Sequence, residues 1–467
     1  MRKALLPIIV LITLLCSGGF AQSGPNSFSI AIDNKVKEVR TMPCEEKGFC
    51  IYTETKTRKV HQITLAHCDT LLKLRWDTIM EIPLEWQQQF LFYENGALVM
   101  LFRVNERSNF TDKGVLMIYL LDKQKFEMRD ISGLPTIAGT GDCHHYGGNL
   151  LFSTMEKKGD RIWYLPAGAT QPIPFSFTQE NAGNVLCTSV DTSQGNAVIC
   201  FTSGGRTMYF ETDFQGKSSF ANILNEPATH AQWISIGPNH SMLMLYYEDD
   251  ETFYIHPVNI LNRKVLPSKT IYCADIATPK TLPPNVQEKK LIIVAPYNYI
   301  TFYPTYANCY NGRITCVTEL FYPEYGNYFN GWYVDRRFDG YRYERADVHF
   351  FDTNGVFLTN VTFPYNEGLS LHSNILKKLR INGLPNGDFL LYYMYAREFN
   401  TLLLDNNCQV KDPIRSTNIQ LPVYDNRRYN PSNLLFWYGN RFLLSAYQMK
   451  PGGQQKTGYT VCPLEYR

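Results

Sequence analysis

The sequence predicts an all-β protein, a β-propeller of seven or eight blades. Three observations carry that reading. Short runs rich in Tyr, Phe, Val, Ile and Leu recur along the chain, bounded by Gly, Asn, Asp and Pro, which is how strands and turns are written. No long run places apolar residues at i, i+3, i+4 and i+7, as an amphipathic helix would. Paired runs recur in units of about 40 to 60 residues, a length that suits a four-stranded blade. Tandem β-sandwiches are the alternative. An unbroken series without a Pro- or Ser-rich linker favours the propeller.

At the start of the chain, Arg2 and Lys3 precede a mostly apolar run at residues 4–16 and the small residues Ser17, Gly18, Gly19 and Ala21. This pattern predicts a secretory signal peptide over residues 1–21, a single mature domain over 22–467, and an extracellular location. As a helix the apolar run would rise about 20 Å, short of a ~30 Å hydrocarbon core, so no membrane span is expected. Strands are then expected at residues 96–103, 114–121, 149–154, 161–165, 197–202, 207–211, 241–247, 252–258, 291–295, 347–351, 387–394, 400–404 and 441–447. Turns fall at Asn95-Gly96, Gly204-Gly205, Asn311-Gly312, Asn354-Gly355, Asn386-Gly387 and Gly452-Gly453.

One hairpin can be taken to a register. If Thr192-Ser193-Gln194-Gly195 forms its loop, Asp191 faces Asn196, Val190 faces Ala197 and Cys187 faces Cys200. Opposed residues on antiparallel strands come close enough for a disulfide. Cys44 with Cys50, and Cys309 with Cys316 across Asn311-Gly312, bracket short loops and are two further expected bridges. Of 12 Cys, 11 follow the leader, so at least one is unpaired or joins another chain. The sequons at Asn109, Asn239 and Asn360 are expected glycosylation sites on exposed loops.

Composition bounds the function. The chain of 467 residues is 44% apolar and 14% aromatic, which excludes a disordered polypeptide. Its 45 basic residues less Arg2 and Lys3 balance 43 acidic ones. There is no general electrostatic pull toward nucleic acid or anionic membrane.

Recognised chemistry is sparse. The sequence has no G-x-S-x-G elbow, no H-E-x-x-H and no phosphate loop, and nothing calls for a cofactor or a metal. Asp142-Cys143-His144-His145 brings metal-ligating types together, but adjacent strand residues point to opposite faces. Ser189-Val190-Asp191-Thr192-Ser193 resembles the Asp-box turn of sialidase-type propellers without the Thr-Trp that follows it there, and reads as a hairpin turn. Asp352-Thr353-Asn354-Gly355 and Asp249-Asp250-Glu251 read as turns too. Asp335, Asp339, Glu344 and Asp347, set among Arg336, Arg337, Arg342 and Arg345, are the carboxylates to weigh for sugar chemistry, which needs two of them ~5–9 Å apart.

The sharpest candidate lies beside them. Residues 297–333 carry Tyr and Phe at high density, and Pro323, Asn327, Asn330 and Gly331 interrupt the run, so residues 321–333 are expected to form a long loop. Loops carry function, and Tyr and Trp supply stiff amphipathic contact area. Tyr325, Tyr328, Trp332 and Arg336 are therefore the expected ligand or partner surface. The function class this favours is a secreted binding protein for an extracellular protein or glycan. A propeller-fold glycoside hydrolase or lyase is the alternative.

Overall fold

The computed structural model describes residues 20–21, 27–32, 35–106, 109–135, 139–155, 160–175, 183–191, 195–213, 219–260, 262, 264–276, 301–329, 334–365, 378–395, 398–418, 429–450 and 455–466. Eight antiparallel sheets succeed one another along the chain, each built on four strands. The fold is an eight-bladed β-propeller. In chain order the blades occupy residues 36–82 (I), 86–131 (II), 139–174 (III), 184–224 (IV), 230–272 (V), 301–364 (VI), 380–418 (VII) and 429–465 (VIII). Helix among the described residues is confined to the turns Cys273–Ile276 and Glu45–Lys47. None is long and apolar enough to cross a membrane. The expected strand at 291–295 and the turn at 452–453 lie outside the described residues.

Each blade runs from buried to exposed. In blade I the second strand, Phe49–Lys56, is buried along most of its length, whereas the fourth, Leu74–Ile82, alternates exposed and half-buried residues. Blade VII repeats this, with Phe389–Tyr395 buried and Val410–Asn418 almost wholly exposed. The continuous apolar runs of the sequence are thus strands covered on both faces, and the alternating ones are covered on one.

The chain forms two compact units. One takes in Met1–Leu84 with Gln420–Arg467, and the other Glu85–Ile419. In the first, Phe28–Ala31 pairs with Lys456–Glu465, so the N-terminal part of the chain supplies the outer strand of blade VIII. Phe20–Ala21, inside the expected leader, pairs in turn with Phe28–Ala31. Its core joins blades I and VIII through Phe49, Ile51, Trp437, Leu443 and Tyr459. The Trp437 indole donates to the Gly48 carbonyl at 2.7 Å, and Phe49 meets Trp437 edge-on at 5.7 Å. Gly48 cannot be replaced without rearrangement: its φ is +110° and a Cβ there would stand 1.9 Å from the Cys68 carbonyl oxygen.

In the second unit, apolar clusters lie between successive blades: II with III, III with IV, IV with V, V with VI, and VI with VII. Blades III to VI are each held by their neighbours on both sides. Full burial of each Leu, Val or Phe contributes about 1.5–3 kcal/mol.

The blade IV hairpin has the expected register, with Cys187 opposite Cys200, Val190 opposite Ala197 and Asp191 opposite Asn196. The expected disulfides are not formed in the structure; all six cysteines carry free thiols. Cys44 and Cys50 lie with sulfurs 3.6 Å apart, where a bond would need about 2.05 Å. Cys309 pairs with Ile314 and Cys316 with Ala307, so these two are diagonal rather than opposed. Diagonal neighbours stand about 7–8 Å apart, beyond the reach of a bridge. Asn239 sits in the turn before His240–Tyr247, Asn360 lies half-buried on Phe357–Pro364 opposite His349, and Asn109 opens the strand Asn109–Leu120.

Candidate functional site

Blade VI departs from its siblings. Its strands are Thr301–Tyr310, Arg313–Phe329, Val334–Phe351 and Phe357–Pro364, and the middle two run to 17 and 18 residues. The first strand's pairing stops at Thr301 opposite Phe321, and the fourth's at Pro364 opposite Arg345. The middle strands go on pairing with each other, from Tyr322 opposite Arg342 to Phe329 opposite Val334. Residues 322–329 and 334–342 therefore form a two-stranded arm beyond the four-stranded sheet. Eight residues per strand carry it roughly 25 Å. The loop expected over residues 321–333 is corrected by this: up to Phe329 the chain is regular strand. Pro323, Gly326 and Gly340 are accommodated because the ribbon has only two strands and an irregularity in register between Glu324 and Tyr325.

An isolated two-stranded ribbon is marginal in water. Here a series of ring contacts secures it. Tyr343, buried in the blade, meets Phe321 at 5.3 Å; Phe321 meets Tyr341 edge-on at 5.3 Å; Tyr341 meets Phe338 at 5.1 Å; and Phe338 meets Tyr325 at 5.6 Å. Such pairs contribute about 0.5–1.5 kcal/mol each beyond their burial. Tyr325 is half-buried and Phe338 is 38% exposed, so the outer end of the series meets solvent.

Of the four expected contact residues, the side chain of Tyr325 is described. Tyr325 is in the ring series. Arg336 is opposite Asn327 and Tyr328 opposite Asp335 in the backbone pairing, and the side chains of Arg336 and Tyr328 lie outside the described residues. Trp332 lies outside the described residues.

At the root of the arm is a carboxylate that reading for motifs passed over. Glu319 is fully buried two residues before Phe321. Its Oε1 accepts from the Tyr365 hydroxyl at 3.0 Å and from the backbone N–H groups of Lys378 and Leu379, both at 2.7 Å. Its Oε2 is buried without a partner among the described residues. Burial, only partly offset by those donors, pushes the carboxyl up from 4.5 to about 7. On the other face of the same blade, Asp347 accepts from Thr362 at 2.7 Å and from Arg345 at 3.3 Å. Burial still outweighs these contacts and raises its pKa. His349 Nε2 shares a hydrogen bond with Thr318 at 2.9 Å, and burial takes the ring down to about 3, so it is neutral. The available signal was a charged residue inside an apolar run, as in Ile314-Thr315-Cys316-Val317-Thr318-Glu319-Leu320-Phe321.

The acidic set around the arm does not make one site. Asp335 and Asp347 are twelve positions apart on one strand, about 40 Å along it, and Asp347 is sealed in the blade. The Asp142–His145 segment separates as well: His144 Nδ1 meets Glu94 at 3.2 Å, while His145 Nε2 accepts from the Gly148 N–H at 3.3 Å. Asp249 and Asp250 lie in an exposed turn, and Asp352 Oδ1 accepts from the N–H groups of Asn354 and Val356.

No family model matches the sequence, and no curated protein matches it. Solved structures resemble it at low identity. A β-propeller domain of the trilobed protease from Pyrococcus furiosus is 8% identical, with 81% of this chain and 95% of that one covered and a TM-score of 0.39. The Nup133 β-propeller domain of Vanderwaltozyma polyspora is 10% identical over 81% of this chain and all of that one, at 0.42. A prolyl endopeptidase structure is 10% identical at 0.40, and the chain spans 54% of its length. Likeness of this degree bears on the fold class at most.

Proposed function

We propose that this protein is a secreted binding propeller that holds an extracellular protein or glycan through the aromatic arm of blade VI. The observation that carries the reading is the arm itself. Two strands run past their sheet, bearing a series of rings whose outer members, Tyr325 and Phe338, are partly open to solvent. Stiff aromatic area beside charged side chains is what contact hot spots are made of. Arg336, Arg337, Asp339 and Arg342 provide the charges on one strand of the arm. In an oxidising compartment, Cys187–Cys200 and Cys44–Cys50 are the pairs this reading expects to close, since the first are directly opposed and the second already touch. Carboxylates spread along a strand give the glycosidase alternative no comparable support.

The test is the double variant Tyr325→Ala with Phe338→Ala, screened beside the wild type on glycan and extracellular-protein arrays. Binding lost at least tenfold with a melting temperature within a few degrees of wild type is the expected result. A ligand held equally by both proteins would refute the arm as the contact surface.

A further inference from the structure

Glu319 sits where three things meet: the root of the arm, the last residue of the fourth strand's neighbourhood, and the entry to blade VII. Tyr365 and Lys378, whose hydroxyl and backbone N–H converge on its Oε1, also clasp the ring that seats the arm. Tyr365 lies edge-on to Tyr343 at 6.1 Å, and the Lys378 ammonium stands 4.2 Å above the same ring. Tyr343 in turn carries Phe321, the first ring of the arm's series. One buried oxygen thus gathers the groups that hold the arm's base.

We propose that Glu319 is a protonation-controlled latch: neutral, it closes this clasp and seats the arm, and on ionisation the clasp opens and the arm loosens. The geometry supplies the reason. Both oxygens are buried, and among the described residues Oε2 has no donor to compensate a charge, so a carboxylate there costs free energy that any water-reaching conformation relieves. The closed carboxyl titrates near 7 and an exposed one near 4.5. Opening is therefore unaffected below the lower value and increasingly favoured as pH rises toward the upper one. Among the described residues, the titratable groups that face Glu319 are Tyr365 and Lys378. Tyr306 and Tyr393 line the same interface between blades VI and VII, with Arg380 beside Tyr306. Arg345, Asp347 and His349 belong to the opposite face of the blade. Lys378 favours the ionised form but does not outweigh burial.

The inference rests on the arm being the contact surface only for its consequence in binding. Its test needs no ligand. Hydrogen exchange of the full chain, corrected for the intrinsic pH dependence of the amides, is followed from pH 5 to pH 8.5 in peptides covering 322–342 and 378–383. In the wild type, protection of both should fall together as pH rises toward 7, by at most about three-hundredfold, the ratio set by titration at 4.5 against about 7. Glu319→Gln keeps an acceptor oxygen and cannot ionise, so its protection should be flat with pH. PH-independent protection in the wild type, or an unchanged pH dependence in Glu319→Gln, would overturn the latch. Tyr365→Phe is the second variant. It removes a donor that favours the carboxylate, so the transition should move to higher pH; a transition that stays or moves down would also overturn it. Loss of binding in the arm variants has no bearing on these outcomes.

Discussion

Two carboxylates occupy the same place in two blades and behave in opposite ways. Glu54 lies on the second strand of blade I, Phe49–Lys56, and Glu319 on the second strand of blade VI, Arg313–Phe329. Both are buried. Glu54 meets His61 Nε2 at 2.9 Å and the Lys37 ammonium at 3.3 Å. Burial works against its charge, but these partners outweigh burial and hold it below 4.5. Among the described residues Glu319 accepts from a hydroxyl and two backbone amides, with the Lys378 charge as a smaller aid, and burial wins. Burial alone does not set the charge of a carboxyl. What decides is whether the side chains that reach it outweigh burial. His61 is two positions from Ile63, which opposes Glu54, whereas Ala346 opposes Glu319.

The contrast is broken most forcefully by removing the enclosed partner. The two ring nitrogens of His61 lie against the Glu54 carboxylate and the Pro83 carbonyl. His61→Ala should leave Glu54 buried beside Lys37 alone and cost about 3–5 kcal/mol of unfolding free energy. Denaturant titration at neutral pH measures it. A loss below about 1 kcal/mol would mean that Glu54 is not held by this pair.

Glu319→Gln tests the other side. Between 4.5 and about 7 the folded protein binds a proton that the unfolded chain has released, so stability falls as pH rises through that window and is level outside it. The substitution should therefore stabilise by up to about 3 kcal/mol at pH 8 and do little at pH 4.5. Glu54 has the reverse sign. Its contribution is complete above 4.5 and is lost as pH falls through its lower folded value. Unfolding curves at both pH values for Glu319→Gln and wild type decide the matter.

Reading the chain reached the blades but not these pairs. Strand positions were legible because apolar runs punctuated by Asn-Gly and Gly-Gly report local geometry. The register from Cys187 to Cys200 was legible because a four-residue turn fixes it. The arm was not: Pro323, Asn327 and Gly331 signal a break, while the contacts that override them, such as Tyr325 with Phe338, join residues on different strands. Closure of blade VIII was hidden for the same reason, since Ser29 meets Thr460 across 431 positions. Glu319 reads as one charge in an apolar strand until Leu379, 60 residues on, donates to it.

The smallest effect sharpens the comparison furthest, because it separates the two partners of Glu54. Lys37 reaches both carboxylate oxygens, at 3.3 and 3.4 Å, and stands 57% exposed. His61 is wholly enclosed. Water can replace an exposed ammonium at little cost, and salt screens it, so Lys37→Ala should cost about 0.5 kcal/mol and no more than 1. The loss should shrink further in 1 M salt, where the Debye length is about 3 Å, whereas the His61→Ala loss should hardly change. Equal losses for the two variants, or equal salt dependence, would mean that Glu54 is charged because of its net surroundings rather than its enclosed partner. The account of Glu319 as a carboxyl lacking such a partner would then fail with it.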